Sequence, residues 1–459
     1  MKDQGKEERP GMKKRRITLW IYGLMMLYFI LKQCYFAVFI AGFPDQMVHL
    51  SYIVHMARCP SLLPDFSTIP VYYVVSEQGN QVSLAVNEGV VNYLCHPPLY
   101  YLLMSFSGAV RLTSETTAVV DLMRLRFCNI LLSSTALALS FRLGYTRLKD
   151  RSPLVHALYA CAVATLPMLG YVGAGLNNDN LAFLALVIFF TGLLRYEEDR
   201  LDWKTYLLIG AGFFLGSFAK VTTALVFAVM LGVVLIMSLI RTRFLKLILN
   251  PNFLIALPAF GLFLAYELLV HQRWGAWQPS LENIAPDYFY TTIFYVPPEQ
   301  RTPVSFLQYL GIFARGVAHS WSSLYGHNQQ VNEIMNNGVF GVVYWIPVVL
   351  AIFAAVRRLV RRDPDRLSLP VTLSFLFALF FHFWSKWKAV PSTGYLGGVQ
   401  ARYYLAMIVP LAFLMCREIP PLFSTPKARK VGRVLAGALI AAWLAGDWLR
   451  LLFTLGFPA

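Results

Sequence analysis

The chain has 459 residues, of which 57% are hydrophobic and only 14% charged, with a mean hydropathy of +0.54 and a formal net charge of +16. Soluble domains carry about 25% charged residues, so the composition excludes a soluble globular protein and points to a polytopic membrane protein. The positive charge does not mark a nucleic-acid binder: Lys and Arg stand between apolar runs, at the N-terminus and over 241–246, 357–366 and 427–433, the distribution of cytoplasmic loops facing anionic lipid.

The first apolar run, 17–40, exceeds the about 20 residues that cross a bilayer. The cluster Lys13-Lys14-Arg15-Arg16 before it holds that end in the cytoplasm. The run is longer than the roughly 7–15 residues of a signal-peptide core, and no small-residue cleavage site follows, so it reads as a retained span. Residues 1–16 form a basic cytoplasmic N-terminus, and the segment from Phe43 to His49 emerges on the far face. Further spans are predicted at 122–144, 153–172, 181–195, 205–218, 221–240, 253–271, 337–356, 367–384, 401–416 and 434–453. Their basic ends alternate, with Arg147, Arg195, Arg241, Arg243, Lys246, Arg357, Arg417 and Lys427 all inside. An even number of crossings must then separate the N-terminus from Arg147, which leaves the short apolar stretch 97–110 as an interfacial or re-entrant helix. The expected fold is an all-α polytopic membrane protein of about eleven transmembrane helices, with interfacial helices in the first outer loop and an external C-terminus. The predicted organisation is a transmembrane module over 17–416 with outer loops 41–121 and 272–336, then a cytoplasmic loop and last transmembrane helix over 417–459.

This topology gathers the unusual polar residues on one face. Asp45 and His49 lie four residues apart, on one side of a helix if one starts there. Asp45 reads either as an N-terminal cap beside a surface histidine or as a general base at the membrane surface. His96-Pro97-Pro98 is a rigid turn opening a helix, and the same turn fixes the height of His96 beside Asp45. Asn177-Asn178-Asp179 either caps the following span or offers groups to sugar hydroxyls. Lys220 is a snorkelling lysine or, because its outer position defies the positive-inside pattern, a ligand for an anionic phosphate. Arg402, in Gln400-Ala401-Arg402-Tyr403-Tyr404, opens a span with a guanidinium fork suited to phosphate, and Tyr403 stands beside it. Aromatics such as Tyr72, Tyr288, Trp274, Trp321 and Trp387 read mostly as an interfacial belt, with some free to stack on sugar faces. Cys59 and Cys95 share the first outer region and can pair in an oxidising compartment, while the other four cysteines read as small hydrophobes without metal spacing. Buried charges are expected to be few, Glu267 and Arg142 foremost.

Taken together these residues resemble the GT-C superfamily of membrane glycosyltransferases. The resemblance rests on Asp45 in the first outer loop, on His96-Pro97-Pro98-Leu99-Tyr100-Tyr101, and on the Gly-rich span from Gly210 to Thr222 ending in Lys-x-Thr. The last is similar to polyprenyl-phosphate-sugar enzymes of the mannosyl- and aminoarabinosyl-transferase type. The Asn-Asn-Asp-Asn turn and the Gln-Ala-Arg-Tyr-Tyr element resemble a less characterised bacterial branch, and the likeness covers roughly residues 17–410. Many members follow the first-loop Asp with a second acid. Here Gln46 follows, so no metal on a paired acidic motif is expected, although a divalent cation remains open.

The resemblance implies a polyprenyl-phosphate-linked sugar as donor and an inverting transfer to a hydroxyl of a glycan, lipid or protein. Asp45 would be the base, with His49 and His96 orienting the acceptor or sharing its proton. Lys220, Arg402 and Tyr403 would meet the donor phosphate, and Asn177, Asn178 and Asp179 the sugar or acceptor. It further implies a bacterial inner-membrane protein working on the outer face, with membrane lipids and no nucleic acid as partners. The rival is a transporter, flippase or polymerase handling lipid-linked sugars, which would carry ionisable residues near the midplane and broken helices in matching halves. No internal repeat of that kind is found in the sequence.

Overall fold

The computed structural model describes residues 10–40, 42–240, 249–324, 339–362 and 366–456. Ala41, the predicted inside residues Arg241, Arg243 and Lys246, and Asn337 lie outside the described residues. The chain opens with helix α1 (Pro10–Phe39) and the short helix α2 (Gln46–Arg58). A four-stranded antiparallel sheet follows, built of β1 (Pro70–Gln78), β2 (Gln81–Val91), β3 (Val110–Leu112) and β4 (Thr117–Asp121), with helix α3 (Leu99–Ser105) inserted before β3. Helices α4 (Leu122–Arg147), α5 (Pro153–Ala164), α6 (Pro167–Ala174), α7 (Asp179–Glu197), α8 (Trp203–Ser217) and α9 (Val221–Ile240) continue the bundle.

The fold is that of a predominantly helical polytopic membrane protein. Among the described residues eight helices are long and apolar enough to cross a membrane, or nine if the bent pair α5–α6 counts as one span. The stretches read as eleven spans are helical, but two fall short of that standard. Helix α8 has 15 residues, and the helix Leu257–Trp274 ends in the polar run His271-Gln272-Arg273. The last helix starts at Pro426 rather than at 434, so the basic residues 427–433 form its first two turns instead of a loop. Lys and Arg favour helix, and their long stems let the charge reach the interface from there. The stretch 97–110 holds only the seven-residue α3, too short to cross.

The sheet departs from the expected loop with helices only. Its strand order is β1-β2-β4-β3, with Gln78 opposite Gln81 and Leu84 opposite Ala118. Gly79 has φ +61°, which suits a two-residue hairpin loop with glycine at the first central position. Buried Tyr72, Val82, Leu84 and Val120 pack with Leu50, Ile53 and Tyr101 from α2 and α3 and with Leu176, Leu181 and Phe218 from the bundle. This second core joins the cap 42–121 to the ends of α6, α7 and α8, where the site lies.

Helices α5 and α6 meet at Pro167 with a 52° bend. The residue before a proline avoids helical backbone, and Leu166 has ψ 113°. The freed carbonyl of Ala164 accepts a hydrogen bond from Lys32 Nζ at 3.0 Å. Lys32 also pairs with Asp447 at 2.6 Å, and the same carboxylate oxygen accepts Tyr28 Oη at 2.5 Å. Gly170 permits the approach: a Cβ there would stand 2.5 Å from Lys32 Cε. The expectation of few buried charges is therefore corrected. Glu267 is buried as expected, but so are Lys32, Arg126, Asp447 and Arg450, whereas Arg142 is exposed. Low dielectric demands that such charges meet a partner, and the partner of Lys32 is 415 positions away, beyond any local pattern. Replacing Lys32 by Met strands Asp447, and should lower stability in detergent by about 3–5 kcal/mol. Adding Asp447→Leu should recover most of the loss. A single variant as heat-stable as the wild type would refute the pairing.

Candidate functional site

Asp45 stands at the start of α2 in left-handed backbone, φ 58°, and its side chain caps nothing. Its Oδ1 instead accepts Tyr93 Oη at 2.6 Å, and its Oδ2 forms a close ion pair with Arg402. The simple capping role is thereby set aside. The Arg402 side chain is 7% exposed and the Asp45 side chain 26%, so a solute can reach the carboxylate but hardly the guanidinium. Arg126 braces the turn leading into Asp45. Its Nη1 donates to the Ala37 carbonyl at 2.6 Å, its Nη2 to Gln46 Oε1 at 3.1 Å, and its guanidinium lies 4.9 Å from the centre of the Phe43 ring. Gln46 thus has a structural task.

Burial pushes the Asp45 carboxyl up, but the Arg402 guanidinium and the Tyr93 hydroxyl outweigh it and hold the group down at about 2. His49 is buried, and its Nδ1 meets Tyr101 Oη at 3.0 Å. Its ring stacks on Tyr101, which stacks on Tyr52 in turn. Burial, opposed only partly by Asp45, lowers the imidazole to about 3. His96 is likewise pushed well below its ordinary value, by burial first and by Lys220 next. Its carbonyl accepts Tyr52 Oη at 3.0 Å, and its Nδ1 has no hydrogen-bond partner among the described residues. The two histidines are therefore neutral near pH 7. His49 bonds Tyr101 rather than Asp45, so the two do not form a hydrogen-bonded dyad.

Lys220 and Asp179 form a buried ion pair beside this group. Lys220 Nζ lies 4.8 Å and Arg402 Cζ 5.7 Å from the centre of the Tyr403 ring, so one aromatic face joins the two cations. A small cavity between α6, α7 and the turn 401–407 is bordered by Asp179, Asn180, Thr223, Arg402 and Tyr403. Asp45, Lys220, Arg402, Tyr403 and Asp179 thus converge, with His49 and His96 close behind. Of the two readings of Asn177-Asn178-Asp179, the contacts show the polar turn at the head of α7. Asn177 Oδ1 accepts the Asp179 amide at 2.9 Å and Asn178 Nδ2 donates to the Ala219 carbonyl at 2.9 Å, so both shape the turn that aims Asp179. The Oδ1 of Asn178 and the Oδ2 of Asp179 are left without a hydrogen-bond partner among the described residues.

Several contributors were not legible beforehand. Tyr93 carries no motif. Asn180 donates to Asn129 Oδ1 at 2.8 Å, and Tyr100 donates to the same oxygen at 2.8 Å, tying the turn to α4 and α3. Arg126, a cation beginning an apolar run, was a signal that could have been read. Cys59 is exposed and Cys95 buried, and both are free, so the possible pairing is not formed. Among the described residues no three His, Cys, Asp or Glu side chains gather in a way that could hold a metal ion.

A family model described as "Predicted membrane protein (DUF2142)" matches residues 79–411. No curated protein matches the sequence. Among solved structures, ArnT from Cupriavidus metallidurans in the apo state is similar at 11% identity and a TM-score of 0.49, over 94% of this chain and 75% of that one.

The depressed imidazole of His49 has a consequence for stability. Its folded value of about 3 lies below the ordinary 6.5, so the unfolded chain takes up the proton first. Stability should fall as pH drops through 6.5 and level off below about 3. His49→Gln should lack this part of the decline, as read from unfolding midpoints of both proteins across that range. Parallel curves would contradict a buried, neutral His49.

Proposed function

We propose that this chain, which belongs to the DUF2142 family of predicted membrane proteins, is a membrane glycosyltransferase. It transfers a sugar from a polyprenyl-phosphate-linked donor to an acceptor hydroxyl on the outer face, with inversion. The observation that carries the reading is the convergence of an accessible, ionised carboxylate, Asp45, with two cations, Lys220 and Arg402, around the ring of Tyr403.

The chemistry follows from those groups. The acceptor oxygen attacks the anomeric carbon as Asp45 accepts the hydroxyl proton. The bond between that carbon and the phosphate oxygen breaks, and the lipid phosphate leaves with the electron pair. Cations nearby stabilise the negative charge that grows on the phosphate. Attack opposite the leaving group inverts the anomeric centre. Neutral His49 and His96 contribute hydrogen bonds rather than charge, and Tyr93 and Arg402 keep Asp45 deprotonated and aimed. The acceptor is a hydroxyl of a glycan, lipid or protein.

One observation favours the second reading, a transporter of lipid-linked sugars. Lys32 and Asp447 form a buried ion pair inside membrane-crossing helices, next to a broken span. That pair ties the break at Ala164 to the last helix, however, and none of its hydrogen bonds reaches Asp45, Lys220 or Arg402.

Asp45→Asn should lower transfer by about 10²–10⁴-fold, the usual worth of a positioned base, with donor binding retained. Full transfer by that variant would sink the assignment. Arg402→Gln removes the main influence holding Asp45 down, so burial should then dominate and raise the carboxyl. The acid limb of kcat/KM should move upward in pH relative to the wild type. An unmoved limb would mean that Asp45 is not the group whose ionisation the reaction needs.

A further inference from the structure

Lys220 and Arg402 are each already matched by a carboxylate, Asp179 and Asp45. Two cations against two carboxylates leave the centre neutral. A phosphodiester entering it brings one negative charge with nothing to balance it. A third cation would balance that charge, and the helix Ser368–Thr393, which packs against Tyr403 through His382, carries one in Lys386.

Lys386 sits on that helix one turn after His382, hence on the same face. The His382 ring packs edge-on against Tyr403 at 5.0 Å, on the aromatic group that Lys220 and Arg402 share. His382 Nε2 meets the Gly398 carbonyl at 3.0 Å, which fastens the loop 394–400 to the helix. The Lys386 ammonium lies against that loop: a Cβ on Gly398, whose φ is +74°, would stand 2.9 Å from Nζ. Glycine at 398 thus meets two demands, a left-handed backbone and room for the ammonium. Lys386 is half-buried, yet it forms no ion pair with any carboxylate among the described residues. A lysine drawn out of water without an anion is costly, and natural sites keep such an arrangement where an anion arrives as ligand.

We propose that Lys386, together with the 394–400 loop, is the residue that binds the phosphate of the lipid-linked donor, while Lys220 and Arg402 keep their carboxylates in place. The inference rests on the glycosyltransferase reading above. It divides the work among the three cations. Arg402 stays on Asp45, so donor binding does not cost the base its partner. Lys386 brings the charge sum, donor included, to zero. After transfer the lipid phosphate becomes a monoester whose second ionisation lies near pH 6, and the added negative charge upsets this balance and favours release.

The test measures binding of farnesyl phosphate, farnesol and inorganic phosphate to the protein in detergent at about pH 5, where a phosphate monoester carries the single negative charge of the donor diester. The wild type should bind farnesyl phosphate more tightly than either other probe. Lys386→Met should weaken farnesyl phosphate about tenfold or more, the loss of one charge-assisted hydrogen bond, and leave farnesol unchanged. Lys386→Arg should restore most of the affinity. Because no ion pair is lost, the Lys386→Met protein should unfold at or above the wild-type temperature, and a lower midpoint would count against the proposal. Unchanged farnesyl phosphate binding by Lys386→Met would overturn the assignment of Lys386 alone. Wild-type protein that distinguishes none of the three probes would overturn the donor reading itself. Inorganic phosphate bound as tightly as farnesyl phosphate would make the site one for free anion, which also overturns the proposal.

Discussion

The ion pair between Asp45 and Arg402 spans 357 positions of sequence and closes the molecule on itself. It links the segment after the first helix to the 3-10 turn Ala401–Met407 that precedes the helix Ile408–Glu418. Everything else at the site is arranged around it. Tyr93 holds the second carboxylate oxygen, Arg126 and Gln46 brace the turn that carries Asp45, and Tyr403 presents the face shared by Arg402 and Lys220. The carboxylate is held ionised by this enclosure, which is the state a proton acceptor requires.

Three ion pairs set the frame of the site and of the spans behind it. Lys220 meets Asp179, Lys32 meets Asp447, and Arg402 meets Asp45, each pair joining segments distant in the chain. In a low-dielectric interior such pairs stabilise little on balance, because desolvation offsets the attraction, but removing one member is severe. Their effect is to fix geometry. Lys32 holds the break between α5 and α6, and α6 leads directly into Asn177, Asn178 and Asp179. The position of the 177–179 turn is thereby tied to the packing of α1, the bent pair α5–α6 and the last helix.

Much of this was legible in the residues, for definite reasons. Apolar runs of about 20 residues announce spans because the bilayer sets their length. Asp45, Lys220 and Arg402 stood out because charge at the end of an apolar run is costly without a task. Gln78-Gly79-Asn80-Gln81 carries the hairpin signal of the sheet, but within so apolar a chain the first outer loop reads as interfacial helices. The pairing of each charge was not legible. Lys32 lies within an apolar run and its partner Asp447 is 415 positions away, and of the two readings open for Asn177, turn cap or sugar ligand, the contact of its oxygen with the Asp179 amide shows the first. Sequence spacing reports who is near in the chain, and these contacts are made by the fold.

An enzyme and a transporter for lipid-linked sugars differ in what becomes of the donor. The decisive measurement follows a polyprenyl-phosphate sugar labelled in the sugar, placed with the purified chain in vesicles together with a hydroxyl acceptor. The account predicts that the label moves to the acceptor with inverted anomeric configuration while free polyprenyl phosphate accumulates in equal amount. Donor that crosses the bilayer intact, with no label on any acceptor and no lipid phosphate released, would contradict it.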